Sequence, residues 1–158
     1  MDWSGWATFG FIATVTLTVI MVAAQWMGLS RMDIPMMLGT MFVGDIDRAR
    51  VVGFFVHLAN GQAFALLYTA GFALLGRATW WLGALFGAVH GFAALTIVIP
   101  PLPGAHPAMA SDRSGPSLDA VLEPPGFLGL NYGRETPLVA LLAHVIYGTL
   151  LGALLTPG

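Results

Sequence analysis

Val51-Val-Gly-Phe-Phe-Val-His57-Leu-Ala-Asn60-Gly61-Gln62-Ala-Phe-Ala65-Leu-Leu-Tyr-Thr-Ala-Gly-Phe-Ala-Leu-Leu-Gly76 is a run of 26 residues without one Asp, Glu, Lys or Arg. At a rise of about 1.5 Å per residue, roughly 20 helical residues cross a hydrocarbon core of ~30 Å. The run is therefore long enough to span a bilayer as one helix. No water reaches that core, so a spanning segment must satisfy its own backbone, which a helix does.

The same property recurs outward along the chain. Charge-free stretches cover about 5–29, 51–76, 78–102 and 136–155, each of at least 20 residues. The alternating, roughly ten-residue strands of a β-barrel are absent. These stretches predict an all-α membrane protein: a four-transmembrane-helix bundle in one domain, 1–158, with a long loop between the third and fourth spans. The first stretch reads as a retained span rather than a cleaved signal, since no basic segment precedes it. Only 9% of residues are charged, against about 25% in soluble domains. That composition excludes a cytosolic enzyme, and the net charge of -2 offers nothing to nucleic acid. With no cysteine, disulfides and thiolate metal sites are excluded too.

The charges themselves set the topology. Asp2 and Arg77 stand alone on one side, here called A. Two clusters of six, Arg31–Arg50 and Asp112–Glu135, lie on the opposite side, B. Trp3, Trp6, Trp80 and Trp81 mark the A boundary and Trp26 the B boundary, as aromatic belts do. Arg31, Arg48, Arg50, Arg113 and Arg134 put B in the cytoplasm by the positive-inside rule, which leaves both termini periplasmic. Asp45, Asp47, Arg48 and Arg50 read as the start of the second spanning helix. Thr136 reads as the N-cap of the fourth, with Pro137 at its first position.

A motif repeats within the spans. His57-x3-Gly61-x3-Ala65 in the second matches His144-x3-Gly148-x3-Gly152 in the fourth, and Phe9-Gly10 in the first matches Phe86-Gly87 in the third. The chain reads as two repeated helical hairpins, with the second and fourth spans at the centre. Gly61, Ala65, Gly83, Gly87, Gly91, Gly148 and Gly152 form small-residue stripes of the kind that bring membrane helices close.

Chemistry inside the spans falls to histidine. His57, His90 and His144 lie within them, and His106 lies in the B loop after the third. A polar ring in hydrocarbon is costly and should face the bundle interior. Three readings stay open. Neutral rings hydrogen-bonded across helices would act as glue, with Asn60, Gln62, Thr14, Thr16, Thr18 and Gln25 as partners. Alternatively two of the histidines bind haem, with His57, His144 and His90 as candidates, or a transition metal, with His106 as a further candidate, imidazole being a common ligand. Or the rings and Gln62 form the polar lining of a path for a ligand or proton. Met32, Met36, Met37 and Met41, at helical spacing near the B end of the first span, add thioethers that suit Cu(I) but also serve as core filler. No hydrolase, kinase or phosphate-loop motif is present.

Gly10-Phe-Ile-Ala-Thr14, Met32-Asp-Ile-Pro-Met-Met-Leu-Gly-Thr40, Gly126-Phe-Leu-Gly-Leu-Asn-Tyr-Gly133 and the two histidine helices together resemble a family of small bacterial four-helix integral membrane proteins of unknown function. The likeness covers nearly the whole chain. It implies four spans in a bacterial inner membrane and carries over no site residue. The expected function is that of an accessory or scaffold component without catalytic activity. A haem- or metal-binding protein and a small oligomeric transporter or channel are the alternatives. The expected partners are the lipid bilayer and either further copies of the chain or a larger membrane complex.

Overall fold

The computed structural model describes residues 2–111 and 120–156. Asp112, Arg113 and Asp119 of the second charge cluster, and the last two residues of the A-side tail, lie outside them. Six α-helices follow in order: α1 (Trp3–Trp26), α2 (Ile34–Gly39), α3 (Ile46–Leu74), α4 (Trp80–Ala93), α5 (Leu102–Ala105) and α6 (Thr136–Leu154). A π-helical turn, Ala94–Val98, continues α4, and a 3-10 segment, Phe127–Tyr132, precedes α6. Among the described residues there is no strand, only an isolated bridge between Met109 and Leu122. Helix α1, α3, α4 with its π turn, and α6 are each long and apolar enough to cross a membrane. The chain is an integral membrane protein by that criterion.

Local chemistry fixes where these helices begin. Asp2 caps α1, its carboxylate accepting from the Gly5 N–H at 2.8 Å, and Asp45 caps α3 by accepting from Arg48 N–H at 2.9 Å. The bond from Gly5 holds the Asp2 carboxyl below its ordinary value. Helix α3 starts five residues before the charge-free run, because Asp47, Arg48 and Arg50 form a solvated first turn. Thr136 is not the cap of α6. Glu135 holds that position, and the fully buried Thr136 hydroxyl bonds Ser30 at 2.8 Å instead. The B-side methionines do not extend α1 either. Gly28, at φ +72°, ends it, and Met36 and Met37 belong to the separate helix α2.

The four long helices pack in the order α3, α1, α6, α4, with α4 and α6 in the most extensive contact. Helix α6 is central, but α3 is not: only 17% of its spanning window is buried, against 39% for α1 and α6. It touches α1 on one flank and carries α2 at its B end, while its backbone barely approaches α4. The arrangement is a U in section, open between α3 and α4.

Small residues permit both tight seams. In α1–α3 the antiparallel register sets Thr18 beside His57, Thr14 beside Gly61, and Gly10 beside Ala65. In α4–α6, Gly83 lies against the Gly148 carbonyl, Gly148 against that of Gly83, and Gly87 against that of His144. So each His-x3-small-x3-small stripe packs on the spanning helix before it. The Phe-Gly pairs, however, differ in depth: Gly10 meets the last member of one stripe, whereas Gly87 meets the first of the other.

On side B a polar cap joins the segments on either side of the spans. Arg31 pairs with Glu123 at 3.0 Å and donates to the Asn131 carbonyl, and its own N–H donates to the Tyr132 carbonyl at 2.6 Å. The Tyr132 hydroxyl donates to the Glu123 carbonyl. Burial, then the Glu123 charge, push the Tyr132 phenol up to about 12. The folded chain thus keeps a proton that an unfolded tyrosine releases near pH 10, so this contribution to stability falls as pH rises from about 10 to about 12. Tyr132→Phe is expected to flatten stability against pH in that window, as measured by denaturation in detergent at stepped pH. An unchanged slope would remove Tyr132 as its source.

Candidate ligand-binding site

The opening between α3 and α4 is the mouth of a cavity of about 750 Å³. Its floor comes from α1 and α6, through Thr14, Leu17, Met21, Ala140, His144 and Tyr147. Its B end is walled by α2 and by Leu102 and His106. Phe64 and Leu67 of α3 and Leu85 and Val89 of α4 line it and are also exposed, so they form a rim facing lipid. That volume falls within the range of small-molecule sites, and such sites are largely apolar with a few converging polar groups.

Three of the four histidines converge here. The His90 and His144 rings meet edge to face, 4.7 Å between centres, and His57 lines the same space from α3. Phe64 stacks on His90 at 3.9 Å, and Phe86 stacks on Phe72 at 5.3 Å, so side chains cross the gap that the α3 and α4 backbones leave. The π turn begins four residues after His90 and places Ala94, Leu95 and Val98 on the cavity wall. Wide turns of this kind occur often at functional sites.

Each of the three rings has one nitrogen engaged. His144 Nδ1 lies 2.7 Å from the Ala140 carbonyl, which can only accept, so Nδ1 carries the proton. His57 Nδ1 lies 3.0 Å from the Thr18 hydroxyl, whose one proton goes to the Thr14 carbonyl at 2.9 Å. Thr18 therefore accepts from His57 Nδ1–H. His90 Nδ1 is 3.3 Å from the Tyr68 hydroxyl, which has no other hydrogen bond among the described residues and so donates to it. Among the described residues the Nε2 atoms of all three make no hydrogen bond and none is fully buried, and all three residues line the cavity.

His106 differs. Its Nε2–H donates to the Met37 carbonyl at 2.7 Å and its Nδ1 accepts from Ala108 N–H at 3.1 Å, so both nitrogens are taken in tying α2 to the B loop. Of the proposed glue partners only Thr18 meets a histidine. Gln62 Nε2 donates to the Ala7 carbonyl, Gln25 to that of Met32, and Thr16 to that of Ile12. The Gln62 Oε1 lies buried without a conventional donor, against Gly10.

The geometry bears on what these rings can hold. Imidazoles on opposite faces of one haem, with metal–nitrogen bonds of about 2 Å, keep their centres roughly 6 Å apart. The 4.7 Å edge contact of His90 and His144 leaves no room for a macrocycle between them. Among the described residues no three His, Asp or Glu side chains are grouped to hold a metal ion. Met32, Met37 and Met41 line the cavity wall with aliphatic neighbours.

Two site residues carry no charge and stand out little in the sequence. Tyr68 and Tyr147 each lie three residues beyond a member of a small-residue stripe, Ala65 and His144, and so share its face. Tyr147 donates to the Gly61 carbonyl at 2.6 Å, and its ring packs on Tyr68 at 5.5 Å. A hydroxyl at helical spacing from an intramembrane histidine was the available signal. Comparison with family models, with curated proteins and with solved structures finds no match for the chain.

Proposed function

We propose that the chain is a non-enzymatic accessory protein of the bacterial inner membrane, a four-helix bundle of two related hairpins that holds an apolar molecule taken from the surrounding lipid. The observation that carries this reading is the cavity of about 750 Å³, open between α3 and α4 and lined by three histidines whose Nε2 atoms have no partner among the described residues. Pure scaffolding needs no such space, since membrane helices associate by close packing. The inner membrane follows from the likeness of the Met32–Thr40 and Gly126–Gly133 segments to small bacterial four-helix proteins. Arginines on side B favour periplasmic termini.

The test is native mass spectrometry and solvent extraction of protein purified in mild detergent. The expected result is about one apolar molecule per chain, retained through delipidating washes. Val89, exposed at the rim, offers a control outside the packed seams. Val89→Trp should close the mouth and abolish retention while the fold stands. Wild-type protein that neither retains nor rebinds any apolar molecule would sink the reading. An absorption spectrum and elemental analysis of the same sample address the haem and metal alternative, which a stoichiometric cofactor would put in its place.

A further inference from the structure

We infer that the ligand is a neutral, chain-like molecule whose polar end is a hydroxyl, held as a hydrogen-bond donor by His57 and His144. This rests on the reading of the cavity as a ligand site. Buried in an apolar cavity with no carboxylate among its lining residues, the rings are neutral. With Nδ1–H spent on Thr18 and on the Ala140 carbonyl, His57 and His144 are each left with a bare Nε2 lone pair, and both residues line the cavity. Lone pairs accept. A ligand carbonyl or ether oxygen also accepts, so it gains nothing from these two rings, whereas an O–H gains a bond in a medium where unmade bonds are costly.

His90 completes the set. The Tyr68 hydroxyl donates to its Nδ1, so its Nε2 carries a proton, a ring donor that, unlike that of His106, is not spent on the protein. A hydroxyl can give its proton to a lone pair and receive the His90 N–H on its oxygen. No Arg or Lys lines the cavity. The nearby Arg31 and Arg50 are paired with Glu123 and Asp33. A phosphate or carboxylate end therefore finds no counter-charge. The lining runs along α3 from His57 to Gly71, about 20 Å by helical rise, and apart from the histidines, Tyr68, Tyr147, Thr14 and Asn60 its side chains are apolar. That length suits an aliphatic or isoprenoid chain.

The experiment titrates delipidated protein with 1-hexadecanol, its methyl ether and hexadecanoic acid, and with a long-chain alkylphenol and its methyl ether, read by native mass spectrometry. Each free hydroxyl compound is expected to bind about tenfold tighter than its ether, and the acid no better than the ether. The stronger of the two hydroxyl compounds tells an alcohol from a phenol. His57→Leu and His144→Leu should bring the hydroxyl compounds to the ether level and leave the ethers unchanged. Equal binding of hydroxyl and ether overturns the inference while the cavity reading stands. Failure of every probe overturns the cavity reading itself.

Nitrogen-15 NMR of histidine-labelled wild type supplies a readout free of substitutions. It should show two rings protonated on Nδ1, His57 and His144, and two on Nε2, His90 and His106. Nε2 protons on His57 and His144, or a metal ion held by their lone pairs, would overturn it.

Discussion

Gly87→Leu is expected to push α4 away from α6 and strongly destabilise the whole fold. The reason is backbone contact. A side chain at Gly87 points into the His144 carbonyl and the Val145 backbone, and one at Gly83 into the Gly148 carbonyl. These neighbours are main-chain atoms of a helix held by its own ladder, so they cannot swing aside as a side chain tip would. Within hydrocarbon the two helices gain little from excluding water, and close packing together with Cα–H···O contacts holds them. Forcing them apart forfeits both over the most extensive interface in the fold. Overpacking a well-filled seam typically costs 1–3 kcal/mol, and here, with no soft neighbour, about 3 kcal/mol is expected. Gly44→Ala is the control, since nothing lies within 4 Å of its Cβ position. It should change stability by no more than about 0.5 kcal/mol. Titration of the detergent-folded protein with sodium dodecyl sulfate, followed by circular dichroism, measures both. A midpoint for Gly87→Leu equal to that of Gly44→Ala would show that α4 and α6 do not depend on this seam.

The spans were legible because charge is a binary signal in a bilayer, and all the charges fall outside the four stretches. Their ends were less so. The charge-free run marks the span but not the whole helix: α3 begins at Ile46, within the helix-start cluster read from Asp45, Asp47, Arg48 and Arg50, whereas the cap of α6 is Glu135 and not Thr136. The small-residue stripes could be read from spacing alone, since residues four apart share a helix face. Which helix each stripe would meet could not, and so α3 was expected at the centre although it lies at the edge of the U. Periodicity reports that a face is small, not what covers it. The histidines stood out as polar groups in apolar runs. That His90 and His144 touch while His106 is spent on Met37 depends on contacts 54 and 69 residues apart in the chain, which spacing does not encode. The cavity was not legible at all, because it arises where the α3 and α4 backbones barely approach each other.

Gly53→Leu, by contrast with Gly87→Leu, is expected to free one wall of the cavity and leave the spans standing. A side chain at Gly53 points into the Pro35 carbonyl and the Gly39 N–H of α2, just as one at Gly39 would meet the Ala49 carbonyl of α3. Six residues make too short a helix to persist without packing, so α2 exists because α3 holds it. The other ties include the Arg50–Asp33 pair, half-exposed and weak, the His106 bond to the Met37 carbonyl, and the packing of Met37 with Met109 and Leu122. An overpacking cost of about 2 kcal/mol raises the detached fraction roughly 30-fold. Ile34, Met37, Leu38 and Met41 would then leave the B end of the cavity. Limited proteolysis should cut between Met32 and Gly44 at a rate higher by about the same factor, with helix content by circular dichroism within a few residues of wild type. Retention of the apolar ligand should fall in step, because the wall that closes the B end is gone. Unfolding of the spans at the Gly87→Leu midpoint would instead make α2 an inseparable part of the core. Two leucines aimed at two carbonyls therefore give different failures: one helix pair carries the fold, and the other closes the site.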